Sequence, residues 1–193
     1  MLFMRLLFIL SVSAISTNVE AYDGTEKPTT STNDPGCAVF KMYSVLTEND
    51  CDAAGENITV FEGSTCDPKK STKVLYLKNG MGQWFAGLFE SYLFVDNGTG
   101  PDGRDLTIYD LRKKKQVYEA TYSPLMDPRI EDNALIFYKD LGDLRDKEHL
   151  NCPDAEKWLH ESGLGYGFEQ KTKVDLKSMT EKTIGKVSCS SRQ

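Results

Sequence analysis

The sequence predicts a mainly β (α+β) domain: an antiparallel sheet, or a small β-sandwich or barrel, with one helix near residues 153–162. Three observations carry that expectation. Short runs rich in Val, Ile, Tyr and Phe recur from residue 58 onward, separated by Gly-, Asn- and Asp-rich turns. Between residues 166 and 177, Tyr166, Phe168, Gln170, Thr172, Val174 and Leu176 alternate with Glu169, Lys171, Lys173, Asp175 and Lys177. Such alternation gives a strand one buried and one wet face, as in an antiparallel sheet. Only one stretch carries both helix start and helix stop signals.

The first 21 residues read as an export signal. Arg5 precedes an apolar run from Leu6 to Ile15, and small and polar residues lead to Ala21. This is the charged, apolar and small-residue order that a signal peptidase recognises. The run is far shorter than the ~20 residues that cross a bilayer, so no transmembrane segment is expected after cleavage. Cleavage is expected after Ala21, with Ser16 as the alternative. Export places the chain in a periplasmic or extracellular compartment. Residues 22–36, YDGTEKPTTSTNDPG, carry little apolar mass and read as a flexible leader. Residues 37–193 are then one disulfide-stabilised β-rich domain.

Along that domain, residues 38–46 are apolar and fit either a helix or a buried strand. Residues 58–61 and 73–78 are strands. Asn79-Gly80 supplies the dipeptide of a tight hairpin turn, so residues 81–90 should return antiparallel to 73–78, with Gly82 and Gly87 marking bulges. Residues 91–95, 106–109, 116–122 and 135–138 are further strands, and 183–189 is the last. The helix starts with Asn151 or Cys152 as cap and Pro153 in its first turn, has acids at Asp154 and Glu156, and stops at Gly163.

Five cysteines follow the signal: Cys37, Cys51, Cys66, Cys152 and Cys189. In an exported chain they read as disulfides, and the odd number leaves one over. Cys51 with Cys66, flanking one strand, and Cys152 with Cys189, tying the helix start to the last strand, are the preferred pairs. Cys37 is then unpaired or intermolecular. The net charge of −6 argues against nucleic acid as partner, which needs clustered Lys and Arg. The run Arg112-Lys113-Lys114-Lys115 is expected to be a solvated turn.

Two stretches echo one another: Ile108-Tyr109-Asp110-Leu111-Arg112 and Val174-Asp175-Leu176-Lys177 each precede a turn and a strand. The pattern resembles the outer hairpin of a β-propeller blade. No repeat of blade length accompanies it, so generic hairpin chemistry is the reading taken.

No nucleophile elbow, zinc-ligand spacing or cysteine-hydrolase signature is present. A pairing of Cys37 with His149 or His160 is the one thiol–imidazole combination available. The acidic loop 96–105 is the metal candidate. There Asp96, Asp102 and Asp105 surround glycines that allow tight turning, and calcium prefers several oxygens on such a loop. Plain turn formation explains the same residues. Ser162-Gly163-Leu164-Gly165-Tyr166 resembles the Ser-Gly…Tyr loop of bacterial periplasmic lysozyme inhibitors. That resemblance implies a loop that enters a glycosidase cleft and hydrogen-bonds its paired carboxylates. Asn57 and Asn97 begin glycosylation sequons that matter in a eukaryotic host. The function expected is an exported, non-enzymatic binding module for a protein or small-molecule ligand. A small extracytoplasmic hydrolase and an inhibitor of a secreted enzyme such as lysozyme are the alternatives.

Overall fold

The computed structural model describes residues 21–32, 36–80, 82–100, 103–124, 126–142 and 165–192. The described residues are all-β, arranged as two antiparallel sheets. The small sheet contains β1 (Thr30–Ser31), β2 (Gly36–Val39), β3 (Tyr43–Asn49), β4 (Glu56–Glu62) and β5 (Thr72–Leu77), in that order. The large sheet holds β6 (Gln83–Phe89), β7 (Tyr92–Asn97), β8 (Arg104–Asp110), β9 (Lys115–Tyr122), β10 (Arg129–Glu131), β11 (Ala134–Gly142), β12 (Gly165–Asp175) and β13 (Thr180–Arg192). The helix expected near 153–162 lies outside the described residues, as do Cys152, His149 and His160.

The apolar run at 38–46 is neither one helix nor one strand. It folds as a hairpin, β2 against β3, with the Phe40 amide donating to the Tyr43 carbonyl. The run Tyr92-Leu93-Phe94-Val95 lies in a strand with two buried faces. Tyr92 and Phe94 point into a core with Ala86, Leu106, Ile108, Ala120, Leu135 and Phe137. Leu93 and Val95 point into a second core shared with Val45, Ile58 and Val60 of the small sheet. A strand between two cores loses its polar alternation, which accounts for the unbroken run.

The two echoed stretches are the same turn. Asp110 Oδ1 accepts from the amides of Arg112 and Lys113, and Asp175 Oδ1 accepts from those of Lys177 and Ser178. Each loop is four residues long, between Asp110 and Lys115 or Asp175 and Thr180. Its fourth residue, Lys114 or Met179, has φ near +52° or +54°. The following leucine, Leu111 or Leu176, is buried. Aspartate satisfies the turn amides while leucine anchors the loop to a core, so the shared letters are hairpin chemistry.

Asn79-Gly80 does not make the expected hairpin. Strand β5 pairs with β4 alone, and β6 belongs to the large sheet, so the dipeptide lies at the crossover between sheets. The Asn79 amide donates to Asn57 Oδ1, its side chain donates to Asp50 and the Ala54 carbonyl, and its Oδ1 accepts from the Gln83 amide. These bonds fix a buried asparagine in place, and Gly80 has no positive φ. Gly87, by contrast, sits at a bulge with φ +134°.

Residues 22–32 differ most from expectation. Composition reads them as a flexible leader, yet Tyr22 is buried in the first core, its ring 6.2 Å from Phe94 and 6.4 Å from Tyr122. The Tyr22 and Glu26 amides donate to the Ala86 and Leu88 carbonyls of β6. On the other side Asp23 bridges Arg129 and accepts from the Ile130 amide of β10. Since β10 pairs with β11 and β11 meets β9, the circuit β6–β7–β8–β9–β11–β10–segment 22–26–β6 is closed. Every member of it contributes a side chain to the first core. Gly24, at φ +80°, permits the close pass: a Cβ there would lie 2.2 Å from the Ile130 carbonyl oxygen.

The disulfide pairing also departs from expectation. Cys37 is bonded to Cys66, with Cα atoms 6.1 Å apart, and Cys51 is a free, exposed thiol. Cys51 follows β3 and Cys66 follows β4, so the seven residues of β4 hold them at opposite ends of the sheet. At about 3.3 Å per residue that separation is far beyond disulfide reach. The loop after β4 instead folds back over β3, where Thr65 O accepts from Ser44 Oγ, and brings Cys66 to β2. A Cys37–His nucleophilic pair is thereby excluded in the oxidised protein. Cys189 is disulfide-bonded, and Cys152, the partner expected for it, lies outside the described residues.

Alkylation of the unreduced protein should label Cys51 and spare Cys37, Cys66 and Cys189; label on Cys37 by peptide mass mapping would refute the pairing. Tyr22→Ala should destabilise the fold by roughly 3–5 kcal/mol in urea unfolding, the range for a large aromatic cut out of a core. A loss under about 1 kcal/mol would mean that segment 22–26 is not a structural member.

Candidate functional site

The acidic loop does not assemble a cation site from the residues expected. Asp96 is in β7 and Asp105 in β8; Asp102 lies outside the described residues. Asp96 pairs directly with Leu106, so it shares that residue's face, while Asp105, one residue away, points to the other. A single ion cannot take both carboxylates. Asp105 Oδ1 accepts from Thr121 Oγ1, and both Asp96 oxygens are occupied within the protein. Among the described residues no group of three or more His, Cys, Asp or Glu side chains is placed to hold a metal.

Asp96 instead centres a buried polar cluster at one end of the first core. Arg104 Nε donates to Asp96 Oδ1 at 2.9 Å, and the Tyr122 hydroxyl donates to Oδ2 at 3.0 Å. Arg104 pairs with Tyr122 across β8 and β9, which brings both side chains to the Asp96 face. Burial raises the Asp96 carboxyl above the usual carboxylate range, partly offset by the Arg104 hydrogen bond. Burial works against the Arg104 charge, but the Asp96 carboxylate overrides it and holds the guanidinium protonated. Tyr122 is shifted up by burial and then by the Asp96 charge, and Tyr22 by burial. The phenols therefore stay neutral and Arg104 keeps its charge. Both Asp96 oxygens are held by Arg104 and Tyr122 inside the protein, so the cluster's chemistry is that of an internal strut.

A second site lies on the outer face of the small sheet. Thr59 pairs with Tyr76 and Phe61 with Lys73 across β4 and β5, so all four share the face turned away from the second core. The loop at 63–71 folds over that face. Thr65 O accepts from both Ser44 Oγ and Ser71 Oγ, and the Cys37–Cys66 disulfide ties the loop to β2. Between loop and strands is an open cleft of about 410 Å³ lined by Thr59, Phe61, Pro68, Ser71, Lys73 and Tyr76. Buried Phe61 is its floor, and Tyr76, half exposed, is its wall. The Lys73 ammonium lies 5.7 Å from the Tyr76 ring centre. Apolar floor, aromatic wall, hydroxyls and a single cation suit a ligand group that is part apolar and part anionic.

None of these residues stands out in the sequence by motif, because the cleft exists only once the loop folds back. The signal that points to them is compositional: Lys69, Lys70, Lys73 and Lys78 cluster in an acidic chain. The more obvious run at 112–115 is the Asp110 turn, where Lys113 pairs with Asp110 at 3.1 Å and Arg112 lies 6.0 Å from the Tyr92 ring centre. Of the inhibitor-like loop, residues 162–164 lie outside the described residues, and Gly165 and Tyr166 begin β12. The Asn97 side-chain amide donates to Asp105 O and Thr107 Oγ1; a glycan there would replace one of the two amide hydrogens and so cost one of these bonds.

Asp96→Ala should destabilise the protein by about 3–5 kcal/mol in urea unfolding at neutral pH, because Arg104 keeps its charge and loses its partner. Replacing both, Asp96→Leu with Arg104→Met, should recover part of that loss. A single-variant effect below about 0.5 kcal/mol would count against the strut. Comparison of the chain with protein-family models, with curated proteins and with solved structures finds no match.

Proposed function

We propose that this chain is an exported, non-enzymatic binding module whose binding face is the cleft over β4 and β5. The observation that carries the reading is the cleft itself: about 410 Å³, with a buried aromatic floor and a rim of hydroxyls and one ammonium. That volume falls in the ~300–1,000 Å³ range of small-ligand sites. A loop fastened by the Cys37–Cys66 disulfide roofs it, which suits an oxidising compartment. The export signal read at residues 1–21 points the same way. Among the described residues the cleft lining carries no carboxylate, imidazole or thiol, so binding rather than bond breaking is the activity its residues favour.

Fragment screening by amide chemical-shift mapping tests this. Bound fragments should shift Thr59, Phe61, Ser71, Lys73 and Tyr76. Tyr76→Ser and Lys73→Ala should each weaken binding at least fivefold without loss of stability. Reduction of the disulfide should weaken it further by releasing the roof. Hits that gather elsewhere would move the site, and turnover of ester, peptide or glycoside substrates would end the non-enzymatic reading.

A further inference from the structure

We propose that the cleft and the free edge of β5 together bind an acidic, extended peptide, which adds to the small sheet as a further strand. The inference rests on the cleft being the binding face and adds the chemical class of its ligand.

The edges of this protein are not treated alike. Strand β6 is covered by residues 22–26 and by side chains: Glu56 Oε2 takes the Phe85 amide, Asn79 Oδ1 the Gln83 amide and Glu26 Oε1 the Glu90 amide at the strand's end. Strand β1 is two residues long. Strand β5 is six residues long and ends its sheet, as the longer β13 ends the other; of these two edges it is β5 that supplies cleft residues, Lys73 and Tyr76. Among the described residues, no group outside β4 hydrogen-bonds the backbone of Thr72–Tyr76. Such an edge offers a row of donors and acceptors to an incoming chain.

Charge selects the chain. Across residues 67–78, Lys69, Lys70, Lys73 and Lys78 are all exposed, and Asp67 is the one acid, on a protein of net charge −6. Asp67 is already paired with Lys70, at 3.4 Å. The edge is thus a basic stripe on an acidic molecule, complementary to an acidic segment. Geometry selects the side chains. A strand beside β5 alternates its residues between the two faces of the sheet. Those on the outer face pass Lys73 and Tyr76. One of them reaches the cleft, where Phe61 and Tyr76 favour an aromatic or aliphatic group, and its neighbours meet the lysines, which favour Asp or Glu. The resulting ligand is an extended peptide with acids flanking one apolar anchor.

The test uses the full oxidised protein and a positional library of heptapeptides in which Glu alternates with varied residues. A second library carries Lys in place of Glu. The Glu library should bind at least tenfold more tightly, with aromatic residues enriched at one position. The best peptide should lose at least tenfold when alternate amides are N-methylated, which removes backbone donors and leaves side chains intact. Amide shifts should fall on residues 72–77 and on the cleft. The combined change Lys69→Glu, Lys70→Glu and Lys73→Glu should abolish binding while thermal stability holds. Equal binding of both libraries would overturn the acidic ligand, and insensitivity to N-methylation would overturn strand addition; either leaves the cleft as a binding face. Shifts outside both β5 and the cleft would overturn this inference and the proposed function together. Peptide binding unchanged between the libraries and in the charge-reversed variant, with self-association of a neutral Lys69→Gln, Lys70→Gln and Lys73→Gln variant, would show that the lysines serve only to keep β5 from pairing with itself, and would overturn the proposal.

Discussion

Two amides at Tyr22 and Glu26 donate to β6, and the Asp23 carbonyl accepts from Ile130; these three bonds turn an open sheet into a closed circuit. The first core depends on that closure. Without it, the β6 edge at Ala86 and Leu88 would present unpaired carbonyls, and the aromatic contacts of Tyr22 with Phe94 and Tyr122 would be lost. The Asp96–Arg104 pair depends on it as well, because Tyr22 is part of what shields that pair from water. A buried ion pair is tolerable only while its surroundings stay ordered. Closure, aromatic packing and the polar strut are thus one cooperative unit.

The small sheet is built on a different principle. Its inner face leans on β6, β7 and the Asp110 turn through Leu88, Leu93, Val95 and Leu111. Among the described residues no other sheet covers its outer face, and the loop at 63–71 crosses it, held by a disulfide and by hydroxyl bonds to one carbonyl. A roof of that kind covers Phe61 and leaves Tyr76 and Lys73 accessible. The division follows from placement: the small sheet gives one face to the second core and turns the other away from it.

The strands were legible wherever one face is wet. Residues 165–175 and 115–122 alternate visibly, and the Asp-Leu turns repeat because the same backbone geometry needs the same capping oxygen. Legibility failed where a residue's partners are distant in sequence. Tyr22 looks like an isolated aromatic in a polar leader, because its partners lie at 86, 94, 122 and 130. Asn79 announces a special backbone, but its side-chain bonds to residues 50, 54 and 83 make it a crossover rather than a hairpin. The cysteine pairing failed because sequence proximity to a strand says nothing about which end of the strand each thiol occupies. The cleft was invisible for the same reason as Tyr22: a loop must fold back before Pro68 and Ser71 face Phe61 and Tyr76. The acidic loop is conspicuous in the sequence, but alternation along β7 and β8 sends Asp96 and Asp105 to opposite faces.

The closing segment sets an order of assembly. Its hydrogen-bonding partners are residues 86 and 88 on one side and 129–130 on the other, the latter more than a hundred residues further along the chain. Contacts of such separation form late, since a long loop must close before they give anything back. Of the described chain, the segment synthesised first is thus among the last to take its place. Until it does, β6 remains a bare template on a half-built protein, open to any passing strand, and the interval before closure is when this molecule is most exposed to mispairing with its own kind.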